Sequence, residues 1–79
     1  MNQSQIFEKL KPICHQIFGA GVKITEETVS SDVENWDSMN HVMLISTIEN
    51  EFQVKFDILE IIELDSIRGF IGLIEKKLG

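Results

Sequence analysis

The sequence predicts a small all-α protein, a four-helix bundle of three longer helices and one short third helix. Apolar residues recur at helical spacing in three long segments, and no two alternating segments are joined by a hairpin turn. With 79 residues, 43% of them hydrophobic, the chain can build one core and not two. We therefore expect residues 1–79 to form a single domain, with a long loop between helices 1 and 2.

The first helix is predicted from about Ser4 to Phe18. Asn2 and Gln5 have the spacing of a capping box, and Gly19 stops the helix. Pro12 lies in the interior, where a proline removes a hydrogen bond, so we expect a kink or a shorter first turn. The apolar stripe consists of Ile6, Leu10, Ile13 and Ile17.

The segment from Gly19 to Trp36 is polar and too long for an ordinary connection between helices. Apolar residues recur within it, so we expect a loop pinned across the helices rather than a free linker. These residues are Val22, Ile24, Val29, Val33 and Trp36.

The remaining helices follow in quick succession. The second is predicted from Ser38 to near Phe52, and the third from Ile58 to Glu63, after the capping pair Asp57 and Glu60. The fourth starts at Asp65 or Ser66. The side chains expected to face the core are Val42, Leu44, Ile45, Ile48 and Phe52 in the second helix and Ile67, Phe70, Ile71 and Ile74 in the fourth.

Two glycines, Gly69 and Gly72, lie inside the predicted fourth helix, where each costs about 1 kcal/mol relative to alanine. A close approach by another helix would explain both of them.

Composition restricts the partners that this chain can have. The formal net charge is −6, which makes nucleic acid an unsuitable partner and favours basic protein surfaces. No apolar run approaches the roughly 18 residues of a membrane span, and the N-terminus lacks a signal pattern. Cys14 is the only cysteine, so no internal disulfide can form. We expect a cytoplasmic monomer.

Two serines share the same local pattern, Asp37-Ser38-Met39 and Asp65-Ser66-Ile67. At both sites we expect the aspartate to cap a helix and the serine to be tolerated after it. Ser38 differs because it follows the long loop and begins a helix that the fold leaves open. The free N–H groups and partial positive charge of a helix start would favour a phosphate ester there.

The pattern around Ser38 resembles the signature of acyl carrier proteins. The residues that carry this resemblance are Asp37-Ser38-Met39, then Leu44, Ile48, Glu49 and Phe52, and, at family-like spacing, Phe56, Leu64, Ser66-Ile67, Ile71 and Ile74. The resemblance covers nearly the whole chain. It implies an acyl-carrier-like domain with 4′-phosphopantetheine attached to Ser38, whose terminal thiol holds an acyl or aminoacyl group as a thioester.

The resemblance also implies roles and partners. A phosphopantetheinyl transferase would install the arm from coenzyme A, using Asp37 around its metal and the serine hydroxyl, and Met39 would be the apolar contact beside the arm. Acyl-loading and acyl-transfer enzymes would be the further partners of the modified chain. Ser66 falls where the family has a polar residue opening its last helix.

The second helix departs from that of the familiar fatty-acid carriers. Asn40, Met43 and Asn50 stand where acidic residues are common, which leaves Glu49 and Glu51. Trp36 likewise replaces a small residue. We therefore expect a specialised carrier, serving for example the modification of a polysaccharide, lipid or amino acid. Its partner-binding residues are predicted to be Met39, Asn40, Met43, Glu49 and Glu51, with both methionines exposed.

Three other interpretations of these residues are possible. The chain could be an unmodified helical interaction module of carrier-like fold. Ser38 and His41 could form a nucleophile and base, but no glycine-rich turn supplies an oxyanion hole, so we expect no enzyme and a solvated His41. Cys14 and His15, even with His41, have no usual zinc spacing, so we expect a buried thiol beside a surface histidine.

Overall fold

The computed structural model describes all 79 residues and contains four α-helices and one turn of 3-10 helix. The helices are α1 (Gln3–Phe18), α2 (Ser38–Phe52), α3 (Ile58–Glu63) and α4 (Ile67–Leu78), and the 3-10 turn spans Ser30–Asp32. This confirms the all-α class, the short third helix and the long connection between α1 and α2. None of the helices combines the length and the apolar character that crossing a membrane requires.

Helix α1 begins with the predicted capping box. The backbone N–H of Gln5 donates to the Asn2 side chain, and the Gln5 side chain accepts from the backbone N–H of Asn2, both at 2.9 Å. The helix ends at Gly19, whose φ of 115° is available to glycine at little cost. It runs unbroken through Pro12, so the expected shorter first turn was wrong. The capping box and the complete burial of Ile6 stabilise that first turn.

The core is one cluster in which α1 packs against both α2 and α4. Of the predicted stripe of α1, Ile17 is only partly buried, because Cys14 and Phe18 occupy the core position at that end. The buried apolar residues are Ile6, Leu10, Ile13, Cys14, Phe18, Ile24, Val33, Leu44, Ile45, Ile48, Phe52, Val54, Phe56, Ile67, Phe70, Ile71 and Ile74.

The outer face of α2 is more apolar than expected. Met39 and Met43 are 73% and 49% exposed, which confirms their predicted exposure. Val42 was expected in the core, and this was wrong, since it is 61% exposed. It precedes the fully buried Leu44 by two positions, which places it on the opposite side of a helix with 3.6 residues per turn. We call Met39, Val42 and Met43 the apolar face of α2.

The loop between α1 and α2 is pinned to the helices, although not by every predicted residue. Ile24 and Val33 are buried, and Val22 and Trp36 pack partly buried against the core. Val29 faces solvent instead, because this stretch is held through its backbone.

That backbone contact joins the loop to the start of α4. Val29 and Ser66 form an isolated antiparallel bridge. The N–H of Ser30 donates to the carbonyl oxygen of Asp65 at 2.7 Å, and that of Ile67 donates to the carbonyl oxygen of Thr28 at 2.9 Å. The bridge therefore sets the backbone conformation with which the chain enters α4.

Helix α3 is the most lightly packed helix, with no fully buried side chain. Ile61 and Leu64, at and just after its end, pack against the core. Lys77 of α4 forms an ion pair with Glu60 at 2.9 Å. The backbone N–H of Asp57, together with Lys77, holds the pKa of the Glu60 carboxyl below its ordinary value.

The two glycines of α4 do not meet another helix, so that expectation was wrong. A Cβ on Gly69 would lie 3.0 Å from the Ser66 hydroxyl oxygen and 3.5 Å from the Leu64 side chain. Gly69 therefore makes room for the residues that open its own helix. A Cβ on Gly72 would have no neighbour within 4 Å, and nothing in the structure explains this glycine.

Candidate functional site

Ser38 is the first residue of α2, and its hydroxyl is free. Asp37 precedes it with extended backbone and caps the helix, accepting a hydrogen bond from the backbone N–H of Asn40 at 2.8 Å. This confirms the predicted cap. Because Asp37 fills that role, the exposed Ser38 side chain makes no hydrogen bond within the chain. Its oxygen is available to react.

Ser66 occupies the opposite position in the matching pattern. It is itself the N-cap of α4, and its hydroxyl accepts a hydrogen bond from the backbone N–H of Gly69 at 3.0 Å. The prediction that Asp65 caps this helix was therefore wrong. The bridge to Val29 holds Ser66 in the extended conformation that an N-cap requires, which moves the helix start one residue along the chain.

The start of α2 also offers unpaired backbone donors. The N–H groups of Ser38 and Met39 make no hydrogen bond within the chain, whereas that of Asn40 is taken by Asp37. These donors point out of the helix N-terminus, where the aligned peptide dipoles place a partial positive charge. A negatively charged group on the Ser38 oxygen would lie in a favourable field.

A shallow groove of about 360 Å³ runs beside Ser38, between the first turn of α2 and the segment that includes α3. Half of its lining residues are apolar. Its lining residues are Ser30, Trp36, Asp37, Ser38, His41, Val42, Ile61, Ile62, Leu64 and Asp65.

His41 forms part of this groove and is not the solvated side chain that was expected. It is half-buried, and both ring nitrogens are engaged. The indole N–H of Trp36 donates to Nδ1 at 2.9 Å, and Nε2 lies 3.1 Å from the carbonyl oxygen of Ile61. An indole nitrogen can only donate, so Nδ1 accepts and the proton resides on Nε2. His41 therefore has no free nitrogen with which to act as a base toward Ser38.

The sequence alone does not predict the pairing of Trp36 with His41. The two residues are five positions apart across a helix start, a spacing that no helical pattern marks as a contact. The proximity of Ile61 to His41 depends on how α3 folds back onto α2. Only the long loop that ends with a tryptophan directly before Asp37 could have drawn attention to the pair.

Comparison with known proteins identifies the family. No protein-family model matches the chain. It is 33% identical over 79 residues to the acyl carrier protein of Thermotoga maritima, a match that covers 99% of this chain and 98% of that protein. It is also 33% identical to the acyl carrier protein of Thermosynechococcus vestitus, over 98% of this chain and 96% of that one. The chain belongs to the acyl carrier protein family.

Solved structures of acyl carrier proteins have the same fold. The solution structure of holo acyl carrier protein from Geobacter metallireducens has a TM-score of 0.80 at 33% identity and covers 90% of this chain and 83% of that one. The crystal structure of the Thermotoga maritima protein also has a TM-score of 0.80. There the structural match is 22% identical, covers 99% of this chain and 92% of that one, and shows the fold alone.

Of the five predicted partner-binding residues, three are exposed and two form hydrogen bonds within the chain. Met39, Met43 and Glu51 are exposed. Asn40 donates its side-chain amide to the carbonyl oxygen of Asn35 at 2.8 Å. Glu49 accepts at 2.9 Å from the backbone N–H of Phe56 and so anchors the loop after α2. Asn40 and Glu49 thus have structural contacts within the chain.

The thiol of Cys14 lies in the core and not at the start of α2. It is fully buried in α1, as predicted, and burial raises its pKa to about 12. The thiolate is the nucleophilic form of cysteine, so this thiol is inert near neutral pH. The neighbouring His15 is half-buried, and its Nε2 lies 2.9 Å from the carbonyl oxygen of Val22.

Proposed function

We propose that this chain holds an acyl or aminoacyl group as a thioester on a 4′-phosphopantetheine arm attached to Ser38 and delivers it to partner enzymes. The observation that carries the proposal is the exposed Ser38 hydroxyl, which is left free by the Asp37 cap at the start of α2. Membership of the acyl carrier protein family supports it, as does the structural match to a holo member at 33% identity. In this role the chain is a carrier and not an enzyme.

The residues at the start of α2 fit such an arm. Its phosphodiester would carry one negative charge next to the unpaired N–H groups of Ser38 and Met39. Attachment would not cost the helix its cap, because that hydrogen bond belongs to Asp37. When bound, the arm supplies a terminal thiol on which the cargo is held as a thioester. Since Cys14 is buried and protonated, it would not compete for the cargo.

Asp37 is proposed to serve the transferase that attaches the arm. Its Oδ1 is occupied by the Asn40 N–H, while Oδ2 makes no hydrogen bond within the chain and the residue is exposed. That oxygen is free to approach the metal of the transferase and the neighbouring serine hydroxyl. Asp37 would thus hold the helix start in place and orient the enzyme over Ser38.

The partners are proposed to recognise the apolar face of α2 (Met39, Val42 and Met43) together with Glu51. From Ser38 to Ile48 the helix has no Asp, Glu, Lys or Arg. An enzyme acting on Ser38 must cover Met39 and Val42, which lie one and four positions further along the same helix. This is the basis for proposing a specialised carrier rather than a standard fatty-acid carrier. The proposal keeps the expectation of a cytoplasmic monomer.

Intact-mass spectrometry tests the proposal. The purified chain is incubated with coenzyme A and a promiscuous phosphopantetheinyl transferase, and then with acetyl coenzyme A in its place. We expect a mass gain of one phosphopantetheine, and with the second donor an additional acetyl group that hydroxylamine removes. An unchanged mass, under conditions that fully modify a known carrier, would favour the unmodified interaction module.

A further inference from the structure

The groove beside Ser38 is the apolar space nearest to the proposed attachment site. Its volume is about 360 Å³, and its rim includes Val42 and Ile62, which are 61% and 71% exposed. A cargo lying in this groove stays partly in water. A long apolar chain gains most by leaving water completely, and for that it would have to pass through the floor of the groove into the core.

Aromatic rings form part of that floor. Trp36 and His41 line the groove, and both pack on rings that belong to the core. The centroid of the Trp36 ring lies 5.1 Å from that of Phe18 and 6.2 Å from that of Phe70. The His41 ring lies 6.0 Å from Phe70, which is fully buried. These four rings thus form a layer between this part of the groove and the core, beside the half-buried Ile61 and Leu64, which also line the groove.

Hydrogen bonds hold this layer closed. The Trp36 indole donates to His41, and the protonated Nε2 of His41 donates to the carbonyl oxygen of Ile61. The two bonds join the segment before α2, α2 itself and α3. A cargo that pushes the rings apart would leave an indole N–H, an imidazole and a carbonyl group without partners in apolar surroundings, which is unfavourable.

We propose that Trp36 and His41 are specificity-determining residues that restrict this carrier to short acyl groups held at the protein surface. The proposal rests on the proposed attachment at Ser38. A group of a few carbons fits the groove with the rings closed. A longer chain would have to remain in water or break the Trp36–His41–Ile61 connection, so the protein does not favour it.

A series of acyl forms tests this inference. The chain is loaded by the transferase with acetyl, butyryl, octanoyl or dodecanoyl coenzyme A, and the rate at which hydroxylamine cleaves each thioester is measured. Because no member of the series is buried, we expect the rates to agree within about twofold and the melting temperature to stay constant. The chain has one tryptophan and no tyrosine, so its emission reports on the aromatic floor, and we expect it not to change with chain length.

Variants test the residues themselves. With Trp36→Leu and His41→Ala combined, we expect the dodecanoyl thioester to be cleaved roughly tenfold more slowly than the acetyl one, because the floor can now open. If the double variant fails to fold, Trp36→Phe replaces it. This variant keeps a ring but removes the indole N–H, and it should give a smaller effect of the same sign. Ile58→Ala, exposed on α3 and outside the groove, is the control and should match wild type.

Three results would overturn the inference or its basis. A wild-type dodecanoyl form protected about tenfold, with a shift of tryptophan emission, would show that the floor opens for long chains. Variants as unresponsive to chain length as wild type would show that Trp36 and His41 do not set the limit. If no acyl form can be made at all, the proposed function itself fails, and this result is distinct from the other two.

Discussion

Asp37 accepts a hydrogen bond from the backbone N–H of Asn40, whereas at the start of α4 the equivalent bond is accepted by Ser66 and not by Asp65. The two Asp-Ser pairs are identical in sequence but offset by one residue relative to the helix that follows. The offset leaves the hydroxyl of Ser38 free, whereas that of Ser66 accepts the capping hydrogen bond of α4. A structural difference of one residue thus separates a candidate attachment site from a helix cap.

Replacing each serine by alanine should therefore affect stability differently. Ser66→Ala removes an N-cap and should lower the free energy of unfolding by about 1 kcal/mol. Ser38→Ala removes an exposed hydroxyl without a partner and should change it by less than about 0.5 kcal/mol. Urea denaturation of both variants measures the difference. A larger loss for Ser38→Ala would show that the capping roles are reversed.

Phe52 should be among the side chains on which the fold most depends. It is 6% exposed in the core at the end of α2, so Phe52→Ala should cost about 3–5 kcal/mol, most of the stability expected of so small a domain. Thermal and urea unfolding measure this loss, with Ile58→Ala, at an exposed α3 position, as the control. Equal melting temperatures for Phe52→Ala and wild type would place Phe52 outside the core.

The buried thiol of Cys14 should make the free energy of unfolding depend on pH in the alkaline range. Burial raises the pKa of its thiol from an ordinary value of 9.0 to about 12 in the folded chain. Above pH 9 the unfolded chain loses this proton first, so the stabilising contribution is complete below pH 9 and is lost as the pH rises toward 12.

The alkaline prediction is checked by measuring the free energy of unfolding as a function of pH in wild type and in Cys14→Ala. The variant will be less stable at all pH values because it leaves a cavity, but its curve should fall less steeply above pH 9. The difference in slope isolates the thiol from the lysines that titrate in the same range. Parallel curves would contradict the assignment.

Partner recognition should depend more on apolar contact than on charge. Met43→Glu should weaken binding of the apo chain to its phosphopantetheinyl transferase by roughly 1 kcal/mol or more, because a charge would be desolvated against an apolar surface. Wild-type binding should weaken only slightly with salt. Dissociation constants at low and high salt measure both effects, with Glu51→Gln as the matched variant. Binding that tolerates Met43→Glu but is lost in salt or in Glu51→Gln would assign recognition to the acidic residues.

The features that the sequence predicted well depend on neighbours along the chain. The bounds of α2 and α3 matched the structure, and α1 differed by one residue, because caps and apolar spacing are local signals. The Asn2–Gln5 capping box and the Asp37 cap were predicted for the same reason.

The features that were missed depend on contacts between distant segments. Ser66 is a cap because Val29 pairs with it. His41 is half-buried because its ring forms hydrogen bonds with the indole of Trp36 and the carbonyl oxygen of Ile61. Val42 was placed in the core because several apolar positions of α2 are compatible with helical spacing. Only the packing of α1 against α2 selects among them.

The most direct test of the account is the site of modification. Wild type, Ser38→Ala and Ser66→Ala are each incubated with coenzyme A and a promiscuous phosphopantetheinyl transferase, and the intact mass of each chain is measured. Because the hydroxyl of Ser38 is free and that of Ser66 is engaged as a helix cap, we expect wild type and Ser66→Ala to gain one phosphopantetheine and Ser38→Ala to gain none. Modification of Ser38→Ala together with an unmodified but folded Ser66→Ala would contradict the central claim.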